Sequence, residues 1–259
     1  MLKTSFDTCL KHAQKVQDVT NFKYWVRNSV RSVFPHEAMV CGYGRKYGFG
    51  VTTDFILTVD FPSEYLDSIR NQAGMVDSPV LSHWYQHREP IFYDPLQNEN
   101  PFSHQWLENF VGHGLKNLAA DGFIDQLNCI CTYFSFHKLP CVNPPVLRST
   151  FRYLIPLMHE IYTRVIHRHI QNSDLIESNG YLSMREIEIV KYISFGKSNY
   201  DISRLLGLAE STVKNRISHI LDKTGCNNRA GLASFLHLNR DNLRLNNSTN
   251  DFVFTPIIL

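Results

Sequence analysis

The chain has 259 residues, 43% apolar and 19% charged, with 26 basic against 24 acidic side chains and a formal charge of +2. That is an ordinary globular composition, long enough for two domains or one large one. The opening MLKTSFDTCLKHAQ lacks an apolar export core, and no run approaches the ~20 residues that span a bilayer, so the expected location is the cytoplasm, with no membrane partner.

Phe6, Leu10, Ala13 and Val16, then Phe22, Trp25, Val26, Val30 and Val33, recur at helical intervals. They predict two amphipathic helices, broken near Thr20-Asn21 and closed by Pro35. Residues 38–43 and 51–61 alternate around a glycine-bearing turn, as adjacent antiparallel strands do. Pro62-Ser63-Glu64 starts a helix carrying Tyr65, Leu66 and Ile69, and Ser78-Pro79 starts another through Trp84. Residues 90–93 read as a short strand, 94–103 as a loop, and 115–124 and 128–137 as two more strands. Pro144 and Pro145 then introduce a long helix with Leu147, Phe151, Leu154, Met158, Ile161 and Val165 on one face. Mixed helices and a mainly antiparallel sheet ending in a long helix describe an α/β/α sandwich of the GAF or PAS kind.

The polar segments Gln171-Asn-Ser-Asp and Glu177-Ser-Asn-Gly place a linker at residues 171–180. Charge divides there too: residues 181–240 hold nine Lys/Arg and five Asp/Glu, leaving the rest of the chain net acidic. Within this module Ile202, Leu205 and Leu206 mark a helix that stops at Gly207. After a short connection, Val213, Ile217, Ile220 and Leu221 share one narrow arc of a second helix. The opposite arc carries Ser211, Asn215, Ser218 and His219, flanked by Thr212 and Lys214, and has no carboxylate. Helix, glycine turn and helix form the helix-turn-helix pattern, within an all-α four-helix module.

At these residues the module resembles the DNA-binding domain of the LuxR/NarL family of bacterial transcription regulators. The resemblance rests on Leu182, Arg185, Glu186, Val190, Gly196, Ile202, Leu206, Gly207, Ser211 to Asn215, Lys223, Gly225 and Asn228 to Ala230. It implies that the helix after Gly207 lies in the major groove, with Lys214, Asn215 and Ser218 at base-reading positions. Ser211, Thr212, Arg216, Lys223, Asn199 and Lys197 are then placed for phosphates. Three residues depart from the family pattern: Ala209 stands where a capping Ser or Thr is usual, Thr224 where leucine is, and Arg216 where histidine is common. The implied partners are double-stranded DNA, a second copy of the chain and RNA polymerase. Ala230, Leu232, Ala233 and Leu236 of the last helix would contribute to the dimer contact.

The resemblance makes residues 1–170 a GAF-like sensor and dimerisation domain, 181–240 the DNA-binding domain and 241–259 a tail outside the family pattern. The tail's apolar end, FVFTPIIL, is read either as mobile or as an extra strand or plug on the sensor. A phosphorylated receiver domain would need an acidic pair that residues 38–43 lack; only Asp60 matches its pattern. FPSEYLDSIR, DSPVLSHW and PIFY are similar to an autoinducer-binding domain over residues 60–95. Tyr65 stands where tryptophan is expected, Asp77 at the aspartate that binds a lactone amide, and Tyr93 at a later aromatic. With Trp84 these are the candidate small-molecule contacts, although Ile69 replaces a pocket tyrosine and Ser78 interrupts the usual Asp-Pro. Overall the domain looks more like that of orphan LuxR-type regulators, some associated with exopolysaccharide genes.

No phosphate loop, nucleophile elbow, HExxH or paired-carboxylate motif appears, so neither a catalytic residue nor a cofactor is expected. The six cysteines, with no CxxC pair, read as reduced, and Cys129 and Cys131 as buried apolar thiols on one face of a strand; the histidines lack ligand spacing, so no metal is expected. The remaining alternatives are an acyl-homoserine-lactone receptor and an interaction protein that no longer binds DNA.

Overall fold

The computed structural model describes residues 2–47, 50–70, 76–97, 100–127, 129–174, 182, 184–238 and 252–253. The chain separates into two compact units, residues 1–166 with 249–259, and residues 167–248. The division falls inside a helix, ahead of the linker expected at 171–180. Residues 171–174 are still helical, and 175–180 lie outside the described residues.

In the first unit, α1 (Leu2–Ala13) is tied to α2 (Val19–Trp25) by the Trp25 indole, which donates to the Cys9 carbonyl at 3.0 Å. The helix break falls before Val19 rather than at Thr20-Asn21, because Asp18 supplies the N-cap, accepting from the Asn21 amide at 2.7 Å. A π-turn over Val26–Val30 continues α2 into α3 (Arg31–Val33). β1 (Ala38–Tyr47) and β2 (Gly50–Val59) follow as antiparallel neighbours, as expected. Then come α4 (Ser63–Ser68), α5 (Pro79–His87), β3 (Ile91–Tyr93), α6 (His104–Gly112), β4 (Leu118–Asp125), β5 (Ile130–His137) and α7 (Pro144–Asp174). Helix α6 has no counterpart in the expected elements. Ser103 caps it, accepting from the Trp106 amide, and Trp106 and Phe110 form its buried stripe.

The sheet order is β3-β4-β5-β1-β2-β6, every neighbouring pair antiparallel, where β6 is Phe252–Val253 set against Ile56 and Leu57 of β2. Part of the tail therefore adds an edge strand; its other residues lie outside the described ones. β5 is central and every one of its residues is buried, since helices cover both faces. On one face Phe134 and Phe136 meet Phe34, Phe151 and Tyr162, with Phe34 and Phe136 rings 4.8 Å apart and Phe34 stacked on Phe151 at 4.9 Å. The alternate residues Tyr133, Ser135 and His137 point to the other face, beneath α4, α5 and α6.

The second unit holds α8 (Met184–Ser194), α9 (Asn199–Leu206), α10 (Glu210–Thr224) and α11 (Arg229–Leu238). Its interior is built from Ile189, Val190, Ile193, Ile202, Val213, Ile217, Ile220 and Leu232. Among the described residues no helix is long and apolar enough to cross a membrane, and no group of three or more potential ligands could hold a metal. Cys131 is buried, but Cys129 precedes β5 at a positive φ of 54° and is exposed, so the two thiols do not share a strand face.

Candidate functional site

Two regions are candidates for functional chemistry, one on the surface of the second unit and one inside the first.

Helix α9 begins with a reciprocal cap: Ser198 Oγ accepts from the Asp201 amide at 3.1 Å, and Asp201 accepts from the Ser198 amide at 2.9 Å. It ends at Gly207, whose φ of +64° is a left-handed cap that favours glycine, and the Leu208 amide closes back on the Ser203 carbonyl. That turn aims α10. Ala209 stands at its N-cap with no side-chain bond, as its residue type dictates. Val213, Ile217 and Ile220 anchor the inner stripe while Leu221 is half-buried. Ser211, Lys214, Asn215 and Ser218 are exposed on the outer side, and Thr212 and Arg216 are half-buried on the flanks. The outer face is free of carboxylates through Ser218. One turn further on, exposed Asp222 falls on the same side, so, against expectation, the outer arc is not free of carboxylates.

The remaining candidates hold the module together. The Lys223 ammonium lies 2.9 Å from Glu186, whose side chain is only 7% exposed, so Lys223 neutralises a buried carboxylate between α10 and α8. Arg229 donates to Asn199 Oδ1 at 2.9 Å and to the Lys197 carbonyl, which pins the turn between α8 and α9. Thr224, at the leucine position, turns its hydroxyl back onto the Ile220 carbonyl at 2.7 Å and is thereby satisfied just before the Gly225 cap. Of the expected dimer residues, Leu232 is fully buried in the module's own core, Ala230 is exposed, and the Leu236 side chain lies outside the described residues.

In the first unit a cavity of ≈ 60 Å³, partly open to solvent, lies between the sheet and α4–α6. Its walls are Val40, Ile56, Leu66, Ile69, Val76, Val80, Leu81 and Leu118, with Phe61, Tyr65, Trp106, Phe110, Tyr133, Ser78, Ser135 and His137. Of the four contacts expected from sequence, Tyr65 alone lines it. Trp84 lies behind the wall, its ring against Gly122, where a Cβ would come within 2.4 Å of it, and its indole N–H given to Asp121 at 2.9 Å. Burial raises the pKa of that carboxyl. Tyr93 is buried beside Trp106, their ring centroids 5.7 Å apart, and is not in the lining. Asp77 is exposed and outside the cavity. Its amide donates to the Ile69 carbonyl at 2.7 Å, and the adjacent Ser78 caps α5, so the turn presents Ser78 rather than Asp77 to the interior. Asp60, the receiver-like aspartate, has φ +52° and is held by Arg27 and Arg31 at 2.8 and 2.6 Å, which keeps its carboxyl below the usual range.

Sequence reasoning passed over Trp106, Tyr133, Ser135 and His137. The available signal was a strand alternating Tyr, Ser and His with Phe, which puts polar groups on a face roofed by helices. His137 Nε2 lies 2.9 Å from Ser135 Oγ, and burial lowers the pKa of this imidazole to about 3, so it is neutral. Trp106 bonds the Tyr65 hydroxyl and Ser135 the Tyr133 hydroxyl, while His137 Nδ1 is buried without a hydrogen-bond partner.

Residues 181–236 match the family model of bacterial regulatory proteins, luxR family. The chain therefore carries a luxR-family regulatory domain in its second unit. Among curated relatives, it is 26% identical to the transcriptional activator ExpR of Dickeya dadantii (strain 3937), over 67% of this chain and 73% of that one. It is 21% identical to the transcriptional activator VanR of Vibrio anguillarum, over 79% and 84%. Its fold is similar to that of CepR2 from Burkholderia cenocepacia, an N-acylhomoserine-lactone-dependent LuxR-family transcription factor. There the TM-score is 0.50 at 12% identity, covering 65% of this chain and 96% of CepR2.

Proposed function

We propose that the regulator binds a two-half-site operator in the cytoplasm as a homodimer, reads it with Lys214, Asn215 and Ser218, and changes activity when a small molecule occupies the sensor cavity. The observation that carries this reading is the exposed polar start of α10 above a buried apolar stripe. Lysine donates to guanine O6 or N7, asparagine pairs bidentately with adenine, and both side chains stand clear of the module's core. Ser211, Thr212 and Arg216 flank them at phosphate-contact positions. Lys197, Asn199 and Lys223 act chiefly by supporting the module. RNA polymerase is the partner through which a bound activator would work.

An electrophoretic shift against a genomic fragment library, read by sequencing, tests this. The wild-type chain should select a two-half-site sequence and lose affinity steeply with salt. Lys214→Ala should weaken binding by about 1–3 kcal/mol and relax the choice at one base pair. Equal binding of all fragments by both proteins would reject the reading. Asp77, the residue on which the acyl-homoserine-lactone alternative leans, is exposed and outside the cavity lining.

A further inference from the structure

On the outer side of α10, Ser211, Asn215, Ser218 and Asp222 follow one another at spacings of four, three and four residues, so they form one ridge along the helix. All four are exposed. The first three belong to the proposed DNA-facing surface, on which this step rests; the fourth is a carboxylate.

Nothing in the module neutralises it. Among the described residues the Asp222 side chain has no ion pair or hydrogen bond. The adjacent Lys223 is committed to Glu186 at 2.9 Å, and Arg229 to Asn199 at 2.9 Å. Asp222 also stands in the last turn of α10, where the helix dipole is negative and an acidic side chain is disfavoured. It therefore supports neither the packing of the module nor its own helix. For attraction to phosphates its sign is wrong again. Discrimination between DNA sites is the role left to it.

Its position along the helix shows how. Asp222 lies seven residues beyond Asn215, about 10.5 Å at 1.5 Å per residue, whereas the major groove is about 12 Å wide. With the N-terminal turns of α10 at the base edges, as in helix-turn-helix docking, Asp222 reaches the rim of the groove beside the phosphates. On an operator, base contacts from Lys214 and Asn215 hold one pose in which this carboxylate stays in water. Unrelated DNA is held by phosphate contacts alone, in many poses, and those that press the C-terminal half of α10 onto the backbone bring like charges together.

We infer that Asp222 is a specificity-determining residue: its unpaired carboxylate repels the phosphate backbone and weakens binding to unrelated DNA more than binding to the operator.

The full-length protein and its Asp222→Asn and Asp222→Lys variants are titrated by fluorescence anisotropy, at several salt concentrations, against the operator recovered from the genomic selection and against a shuffled duplex of equal length. Asp222→Asn is expected to tighten the shuffled duplex about fivefold and the operator less than about twofold. Asp222→Lys should tighten the shuffled duplex further and steepen its salt dependence by about one counterion. Both variants should melt at or above the wild-type temperature, and a lower melting temperature would overturn the inference by giving Asp222 a part in the fold. Weaker operator binding by Asp222→Asn, with the shuffled duplex unchanged, would overturn the placement at the rim, because the carboxylate would then be accepting from a cytosine amine. Equal gains on both duplexes, or no change on either, would overturn the discriminating role while leaving the proposed function standing. A wild-type protein that selects no operator at all would overturn both.

Discussion

The two faces of β5 are built from alternate residues of one eight-residue strand, yet they are finished differently. Phe134 and Phe136 enter a face closed by Phe34, Phe151 and Tyr162, each at most 1% exposed. Tyr133, Ser135 and His137 enter a face that borders a cavity, where Ser135 bonds its two neighbours and His137 Nδ1 is left unmet. One unmet buried group costs about 1–3 kcal/mol. A sequence that can stack three phenylalanines on one side has the means to fill the other with apolar side chains, yet only the first face is closed by rings.

The largest expected effect lies on the filled face. Phe136→Ala removes a ring in contact with Phe34, His36 and Phe151 and should cost about 3–5 kcal/mol, read as a shift of the urea midpoint at constant slope. A loss below about 1 kcal/mol would mean that this face is not the cornerstone of the fold. Next is pH, because each face has its own buried histidine. His36 packs edge-on to Phe136, and its pKa falls to about 4 through burial, with nearby Arg31 adding to the fall and the Phe34 carbonyl and Asp60 opposing it. His137 faces the cavity and falls to about 3. Both are depressed below the unfolded value near 6.5, so their contribution is whole above that pH and is lost as pH falls toward about 4. At pH 5 each should have given up roughly 2 kcal/mol. His137→Gln should flatten the decline between pH 6.5 and 5, and an unchanged slope would show that this imidazole ionises freely in the folded chain. Smaller again is Gly122→Ala, whose methyl would meet Trp84 and the Thr132 carbonyl at 2.4 and 2.5 Å. It should cost about 1–3 kcal/mol and shift the tryptophan fluorescence; a silent substitution would show that Trp84 is not fixed against the sheet.

Legibility in the sequence follows the range of the interactions involved. The stripe Val213, Ile217 and Ile220 repeats within one helix, so a wheel places it inward and places Lys214 and Asn215 outward without any tertiary information. Local capping is legible in the same way: Asp18, Ser103 and the Ser198-Asp201 box all lie at three-residue spacings. The true start of α2 and the whole of α6 are set by two of these caps, Asp18 and Ser103, rather than by the apolar repeat. The cavity lay beyond such reading. It brings together residues 65, 106, 133 and 137, which are far apart in sequence and meet only when α4 and α6 fold onto β5. Resemblance placed Asp77 in the pocket, but one capping hydroxyl at Ser78 and one amide bond to Ile69 decide where that carboxylate goes.

The smallest effect separates the two faces most cleanly. Tyr133→Phe deletes a hydroxyl held by Ser135, on a ring packed 5.5 Å from Trp84. Loss of a satisfied buried hydroxyl destabilises a fold by about 1 kcal/mol, and the variant should lose about that much in urea unfolding. Ser135→Ala strips both Tyr133 and His137 Nε2, the latter at 2.9 Å, of their neighbour and should cost about 1–2 kcal/mol. If Tyr133→Phe left stability unchanged or raised it, the hydroxyl would be unbonded at rest, and the cavity face would be less complete than the phenylalanine face behind it.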